Sequence, residues 1–480
     1  MSVFSDLVFE AGLVARSVGD YFSGGGLRLG VTGLSRSGKT VLLTALVNNL
    51  IAGATLPVLA ASAEGRLSRA RLEPQPDDAV PRFAYEEHLT SLSGPDRCWP
   101  QSTRRISQLR LTIEFESASG WGGRSSSLSV DLVDYPGEWL LDLPLLDKSY
   151  AEWARETLRA SEAPARAPLS ADWRAALKGL DVHAEANEAA ARDIAKRFTA
   201  YLRRARDDVY ALSTLPPGRF LMPGDLEGSP ALTFAPIPLG EGDAIAPGSM
   251  AAMMERRYEA YKSHVTRPFF RDHFARLDRQ IVLVDALAAL NSGPAALNDL
   301  ENALSDVLRA FRAGRSSRFA SIFRPRIDRI LFAATKADHL HHTSHDRLEA
   351  ILRALTAKAI ARAEGVGAEI DVIALAAVRA TREAEIRQGG ETLEAIIGVP
   401  EKGETIGGQQ FDGVAEAAVF PGELPADPMS IFTGDAIALP EADRDWRFVR
   451  FRPPITARGQ PAPQIRLDRA LQFLIGDRLA

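Results

Sequence analysis

Residues Gly33-Leu34-Ser35-Arg36-Ser37-Gly38-Lys39-Thr40 decide the fold, because they match G-x-x-x-x-G-K-[S/T] at every fixed position. In this pattern successive backbone N–H groups wrap a phosphate, and glycine lets the backbone come close to it. The lysine reaches the β- and γ-phosphates, the threonine hydroxyl ligates Mg2+, and the next helix presents its positive N-terminus. Gly33, Ser35, Arg36, Ser37, Gly38, Lys39, Thr40 and Val41 are therefore the predicted phosphate cradle. The context agrees. Leu27–Thr32 reads as a short strand bounded by glycines, and Val41–Leu50 as a helix. The string is neither G-x-G-x-x-G nor G-x-S-x-G, which argues against dehydrogenase and α/β-hydrolase chemistry.

A second acidic element lies downstream, where the apolar run Leu128–Val133 leads into Asp134-Tyr135-Pro136-Gly137. A carboxylate at a strand end can hold Mg2+ through a water, and a glycine three residues on can give its N–H to the γ-phosphate and hinge. Asp134 and Gly137 are assigned those roles. Asp131 is the alternative acid, and strand alternation puts it on the opposite face from Asp134. A switch threonine belongs just before the preceding strand. Thr103 is the candidate second Mg2+ ligand, with Ser102 as its rival. Arg97, Arg104 and Arg105 flank it, and any of them could serve as an arginine finger in cis. Arg104 is placed in the catalytic set with Lys39, Thr103, Gly137 and Glu138. Glu138 stands where many GTPases carry a water-orienting glutamine, so either hydrolysis is slow or this glutamate acts differently.

A third element, Thr335-Lys336-Ala337-Asp338, closes a β-like run and matches [N/T]-K-x-D. A carboxylate can accept from N1–H and the exocyclic C2 amine of guanine, whereas adenine has an acceptor at N1 and no amine at C2. Asp338 is the base reader, the Lys336 stem packs on the base plane, and Thr335 replaces the usual asparagine. After the next strand, Ala377 and Val378 are placed to give a backbone N–H to the guanine oxygen. His339, His341, His342 and His345 follow at once. His341 and His345 stand at i,i+4, a metal-binding spacing if helical, but a polar loop and helix start over the nucleotide is the preferred reading.

The rest of the chain fills in around these motifs. Gln108–Glu116 and Ser127–Asp134, joined by a Gly/Ser-rich linker, read as an antiparallel hairpin. A helical block covers 145–214, a Pro/Gly-rich excursion 216–248, and further helix Met250 to about Gln280. Then Ile281–Asp285, Ala295–Arg312, Arg329–Ala334, His345–Arg362 and Asp371–Ala376 alternate strand and helix, the pattern of a mainly parallel sheet. The tail reads as Gly/Pro-rich to about Pro454 and ends in a helix over Ile465–Leu479. Residues 4–16 have the periodicity of an amphipathic helix rather than a signal peptide. Asp134 and Asp338 are 204 residues apart, far more than a minimal GTPase needs, so a helical domain is inserted. The division is 1–144 (N-terminal helix and first part of the nucleotide domain), 145–280 (insert), 281–380 (second part, with the base motif) and 381–480 (a C-terminal extension packing back).

Composition narrows the classes. The chain has 480 residues, is 46% hydrophobic and 25% charged, and carries a net charge of −5. That is an ordinary globular balance, and its acidity argues against nucleic acid as the main partner. Cys98 is the sole cysteine, so there is no internal disulfide, and a reducing compartment fits. No apolar run reaches the roughly 18 to 20 residues needed to span a bilayer.

The strings GLSRSGKT (Gly33–Thr40), WPQST (Trp99–Thr103), DYPGEWLLDLPL (Asp134–Leu145), TKADH (Thr335–His339) and IRLDRALQFLIGD (Ile465–Asp477) resemble the YcjX-like family of bacterial P-loop GTPases, nearly end to end. The resemblance implies an α/β P-loop NTPase fold of Ras/Gα type, with a mainly parallel sheet, helices on both faces and an inserted helical domain. It implies GTP and GDP binding with Mg2+. The resemblance implies a stress-inducible cytoplasmic protein, with room for peripheral association at the inner membrane; the motifs, with Glu138 in the glutamine position, predict a molecular switch that hydrolyses GTP slowly. The expected partners are a guanine nucleotide and an unidentified protein effector reached through the insert. The alternatives are an ATPase of a related P-loop class and a nucleotide-stabilised scaffold with negligible turnover.

Overall fold

The structure is a computed structural model that describes residues 26–33, 37–101, 105–118, 125–207, 210–240, 245–310, 327–364, 367–388, 391–406, 408–433 and 448–480. The expected N-terminal helix, Ser35, Arg36, Ser102, Thr103 and Arg104 lie outside the described residues.

The chain divides into two compact units. The first comprises Met1–Tyr135, Arg276–Leu287 and Gly314–Ala480. Among its described residues, seven strands form one sheet in the order β2-β3-β4-β1-β5-β6-β7. They are β1 (Leu27–Gly33), β2 (Leu67–Leu72), β3 (Ser107–Glu116), β4 (Ser125–Asp134), β5 (Arg279–Val284), β6 (Arg329–Ala334) and β7 (Glu369–Ala374). The central strands β4, β1, β5, β6 and β7 run parallel. β2 and β3 extend the sheet antiparallel at one edge. Strands buried on both faces read as near-continuous apolar runs, and β5 is buried along its whole length. Leu27, Leu29 and Val31 of β1 pack with Leu42, Leu43, Leu46 and Val47 of the helix Lys39–Ile51. Leu467, Leu471 and Leu474 of the C-terminal helix Leu467–Ile475 join the same core.

The sequence reading misses the β-content of the flanks. Leu67–Leu72 becomes an edge strand although Ser68, Arg69 and Arg71 break its apolar pattern, because a strand with one neighbour needs few buried side chains. The Gly/Pro-rich tail holds β8 (Arg382–Gln388) and β9 (Glu391–Gly398), which pair antiparallel, with Ala417–Val419 added on β9. The helical run from Met250 ends before Gln280: α-helix gives out at Asp272, a 3-10 turn covers Phe274–Arg276, and β5 already begins at Arg279.

The second unit comprises Pro136–Ala275 and Ala288–Ala313. Its helices include Tyr150–Ser161, Ala167–Lys178, Glu188–Arg206, Met250–Tyr261 and Pro294–Ala310. Their starts are chemically marked. Ser149 and Glu152 form a capping box, Asn187 accepts from Ala190 N at 3.0 Å, and Ser249 accepts from Ala252 N at 3.1 Å. The interior is aromatic. Trp153 stacks on Tyr258 at 5.0 Å between centroids, and Trp173 on Tyr201 at 5.7 Å. Among the described residues, no helix is long and apolar enough to cross a membrane.

Candidate nucleotide site

Parallel pairing puts the motif-bearing loops at one rim of the sheet. Val31 lies opposite Asp134, Gly33 opposite Leu283, Val284 opposite Ala334, and Ala334 opposite Ala374. The residues that follow β1, β5, β6 and β7 therefore emerge together, beside the Asp134 end of β4. The chain passes from β1 outward to β2–β4 and then to β5–β7 on the other side, so this rim lies at a topological switch point. Open α/β sheets bind ligands at such points, beyond the carboxyl ends of their strands.

The loop after β1 is built for close approach. A Cβ on Gly33 would stand 2.3 Å from Ser37 Oγ and 2.6 Å from the Leu283 carbonyl oxygen, so only glycine fits. Gly38 has φ 85°, a left-handed conformation that favours glycine, and it caps the helix Lys39–Ile51. Lys39 is buried and its Nζ donates to the Gly33 carbonyl at 2.8 Å. Ser37 Oγ is buried and, among the described residues, has no hydrogen-bond partner. Thr40 is buried in the first turn, and Val41 follows it in the same turn.

Asp134 is almost fully buried at the end of β4. Asp131 takes a different course, since Arg110 forks both its oxygens at 2.6 and 2.7 Å. That bidentate pair ties β3 to β4. Arg97 is also used structurally. Its Nε donates to the Pro453 carbonyl at 2.5 Å, while Trp99 Nε1 donates to Phe451 O at 2.7 Å.

At the end of β6, Thr335 N donates to Val284 O at 3.0 Å. Lys336 takes φ 63°, and its ammonium pairs with Asp285 at 2.5 Å. Asp285 is a residue the motif reading passed over, although it follows directly on β5. Asp338 is buried, and its Oδ2 accepts from Ala380 N at 2.8 Å. Thr381 Oγ1 donates to the Asp338 carbonyl. The loop with the half-buried Ala377 is fixed from outside: Ala376 and Ile465 exchange backbone hydrogen bonds of 3.1 and 2.8 Å, and Arg379 N donates to Pro463 O at 2.7 Å. Val378 is buried within it.

The same tail strap reaches the phosphate-loop helix. Asn48 Nδ2 donates to Gln460 O at 2.7 Å, and Asn49 Oδ1 accepts from Ala462 N at 2.7 Å. Residues 460–465 therefore connect the helix after the phosphate loop to the loop after β7. The histidines separate into two pairs. His345 holds the Ala337 carbonyl at 2.8 Å, and His339 packs edge-on to Phe451. Burial pushes both imidazoles below the ordinary histidine range, which keeps them neutral. His341 and His342 remain outside that network.

Gly137 and Glu138 belong to the second unit. Gly137 opens a 3-10 segment, Gly137–Asp147. Glu138 is buried, with Oε1 3.3 Å from Arg206 of the helix Glu188–Arg206. A Cβ on Gly218 would fall 1.7 Å from the Glu138 carbonyl oxygen, so a glycine is required there too. Trp139 donates to Met222 O at 2.9 Å and carries the Arg219 guanidinium 3.2 Å from its ring centroid.

The sheet and its rim define a mixed α/β protein with a mainly parallel central sheet and strand-end loops carrying a phosphate-loop sequence and a T-K-x-D sequence. The chain belongs to the YcjX-like family (DUF463), whose model matches residues 27–479. It is 41% identical over 468 residues to the Ras-like GTPase YcjX of Escherichia coli (strain K12), covering 94% of this chain and 96% of that one. It is 34% identical over 484 residues to the Ras-like GTPase YcjX of Shewanella oneidensis, covering 94% of each.

Proposed function

We propose that this protein binds GTP at the sheet rim and hydrolyses it slowly as a Mg2+-dependent molecular switch. The observation that carries the reading is the register of β1, β4, β5 and β6, which gathers a glycine-walled loop, Lys39, Asp134 and the T-K-x-D turn at one edge. The names of the two relatives support it. The Thr40 hydroxyl and the Asp134 carboxylate are hard oxygen donors of the kind Mg2+ takes, directly or through water, and Mg2+ bound there would offset charge on the transferred phosphoryl group. The Lys39 ammonium leaves the Gly33 carbonyl for the β- and γ-phosphates. Ser37 Oγ, without a hydrogen-bond partner among the described residues, offers a hydroxyl on the same wall. Asp338 reads the base through its carboxylate, while Ala380 N fixes one oxygen, and Asp285 steadies the Lys336 ammonium. The resemblance adds a stress-related role whose output a protein effector reads at the second unit.

A specific observation also favours a scaffold with negligible turnover. Glu138 replaces the water-orienting glutamine of many GTPases, and Arg206 engages it in the interior of the second unit. Calorimetric titration with GTP, ATP and XTP tests the base reading. The wild type binds GTP tightest, and Asp338→Asn shifts the preference toward xanthine. Tighter ATP binding by the wild type removes the base assignment. Single-turnover hydrolysis with and without Mg2+ separates switch from scaffold.

A further inference from the structure

We propose that His341, His342 and Glu383 form a binding site for one divalent transition-metal ion of the Zn2+ class, at the junction of the T-K-x-D turn and the small β8–β9 sheet. One ligand atom from each of the three residues lies within 4.8 Å of the others. His342 Nδ1 is 2.8 Å from Glu383 Oε2, and His341 Nε2 is 4.0 Å from the same oxygen. A tetrahedral ion with bonds of about 2.0 to 2.1 Å separates its ligand atoms by roughly 3.3 Å. The two distances bracket that value, so small side-chain rotations suffice to close on an ion.

The surrounding groups set the tautomer that ligation needs. His341 Nδ1 lies 3.0 Å from Thr343 Oγ1, and Thr343 Oγ1 in turn donates to Glu394. With its own proton committed to Glu394, Thr343 Oγ1 accepts from Nδ1–H, and the lone pair is left on Nε2, the atom that faces Glu383. A histidine held this way by a hydroxyl and a carboxylate has the outer-shell support typical of metal ligands. Glu383 is oriented as well, because Arg379 takes its other oxygen at 3.2 Å. At His342 the ion takes the place of the Nδ1–Glu383 hydrogen bond, and ligation requires the tautomer that carries its proton on Nε2.

The sheet supplies an electrostatic reason. Glu385 of β8 lies directly opposite Glu394 of β9, and Glu383 shares their face by strand alternation. Like charges directly opposite each other destabilise a hairpin. Three carboxylates on one face, against the guanidinium of Arg387 on that face and that of Arg379 beside Glu383, leave a net negative charge that a cation offsets. The imidazole pair makes that cation a nitrogen-seeking metal rather than Ca2+ or Mg2+.

The test is equilibrium dialysis of the untagged full chain against Zn2+, with Co2+ spectroscopy as a second readout. The expected result is one tight Zn2+ per chain and the intense visible absorption of tetrahedral Co2+. His342→Ala, at an exposed side chain, and Glu383→Gln each lower Zn2+ affinity at least about tenfold. Glu385→Gln, outside the ligand set, removes one charge from that face and lowers affinity less than either of them. Absence of retained Zn2+, or affinity in His342→Ala and Glu383→Gln equal to wild type, overturns the proposal. So does the weak spectrum of octahedral Co2+.

Discussion

In the sheet unit the interior is aliphatic and polar loops crowd one rim; in the second unit the interior is aromatic and polar groups are consumed within it. Lys39 rests on the carbonyl of its own loop, a contact that a phosphate can replace. Glu138, Asp142 and Asp299 are instead locked to partners. Asp142 accepts from Gly218 N at 2.7 Å and Tyr261 Oη at 2.6 Å. Asp299 accepts from Arg166 at 2.5 Å and from Thr214 N at 2.8 Å. The difference teaches where exchangeable polar chemistry sits. A binding rim keeps groups whose present partners are easily traded, and a packed unit does not.

The largest expected effect would break the second unit. Trp153 is about 1% exposed and touches Phe198, Phe234, Tyr150 and Tyr258. Trp153→Ala should cost about 4 kcal/mol by cavity formation, read as a drop in denaturation midpoint. A loss under about 1 kcal/mol would mean the aromatic core is not what holds that unit. Lys39→Ala should do the converse: GTP affinity falls on the order of 10²-fold, as for truncating one side of a buried charge contact, while thermal stability stays near wild type. Unchanged affinity in calorimetry would remove Lys39 from the site.

Two smaller effects sharpen the contrast. Asn49→Ala should cost about 1 to 2 kcal/mol, because it strips the strap at Ala462 of a buried partner; hydrogen exchange at 460–465 reports it. Asp142 gives a pH signature in the second unit. Burial raises its pKa from 3.8 to about 6. A carboxyl with a raised folded-state pKa favours folding once protonated. Stability should therefore rise by about 1 kcal/mol as pH falls from 7 to 5, and be lost again as pH climbs through 6. Asp142→Asn should flatten that dependence in denaturation curves taken across the range.

Much of the sheet was legible because its signals are local. The run Arg329–Ala334 reads directly as β6, and the phosphate-loop string sits between a strand and a helix as its chemistry requires. The hairpin Gln108–Asp134 followed from alternation on either side of a Gly/Ser linker. The edge strand Leu67–Leu72 and the β8–β9 pair were not legible, since polar residues on exposed strands carry no periodic apolar signal. The i,i+4 pairing of His341 with His345 also dissolved. His345 turns inward to cap Ala337, and its place beside His341 is taken by Glu383, from a strand 41 positions beyond His342.

The sequence by itself determined the parts that depend on near neighbours: the glycine-walled loop, the strand-end acids, the T-K-x-D turn and the apolar runs of the parallel strands. Tertiary structure alone decided what pairs across long separations. Asn48 and Asn49, polar residues near the end of the helix after the phosphate loop, became anchors for residues 460–462. Arg279, opening β5, became a fully buried cation held by Asp477 and Asp328. Asp131 went to Arg110 while Asp134, three residues on, stayed at the rim. The reason is that burying a charge or an amide requires a specific partner, and a chain's local pattern says that a polar group is present without saying which distant residue will meet it.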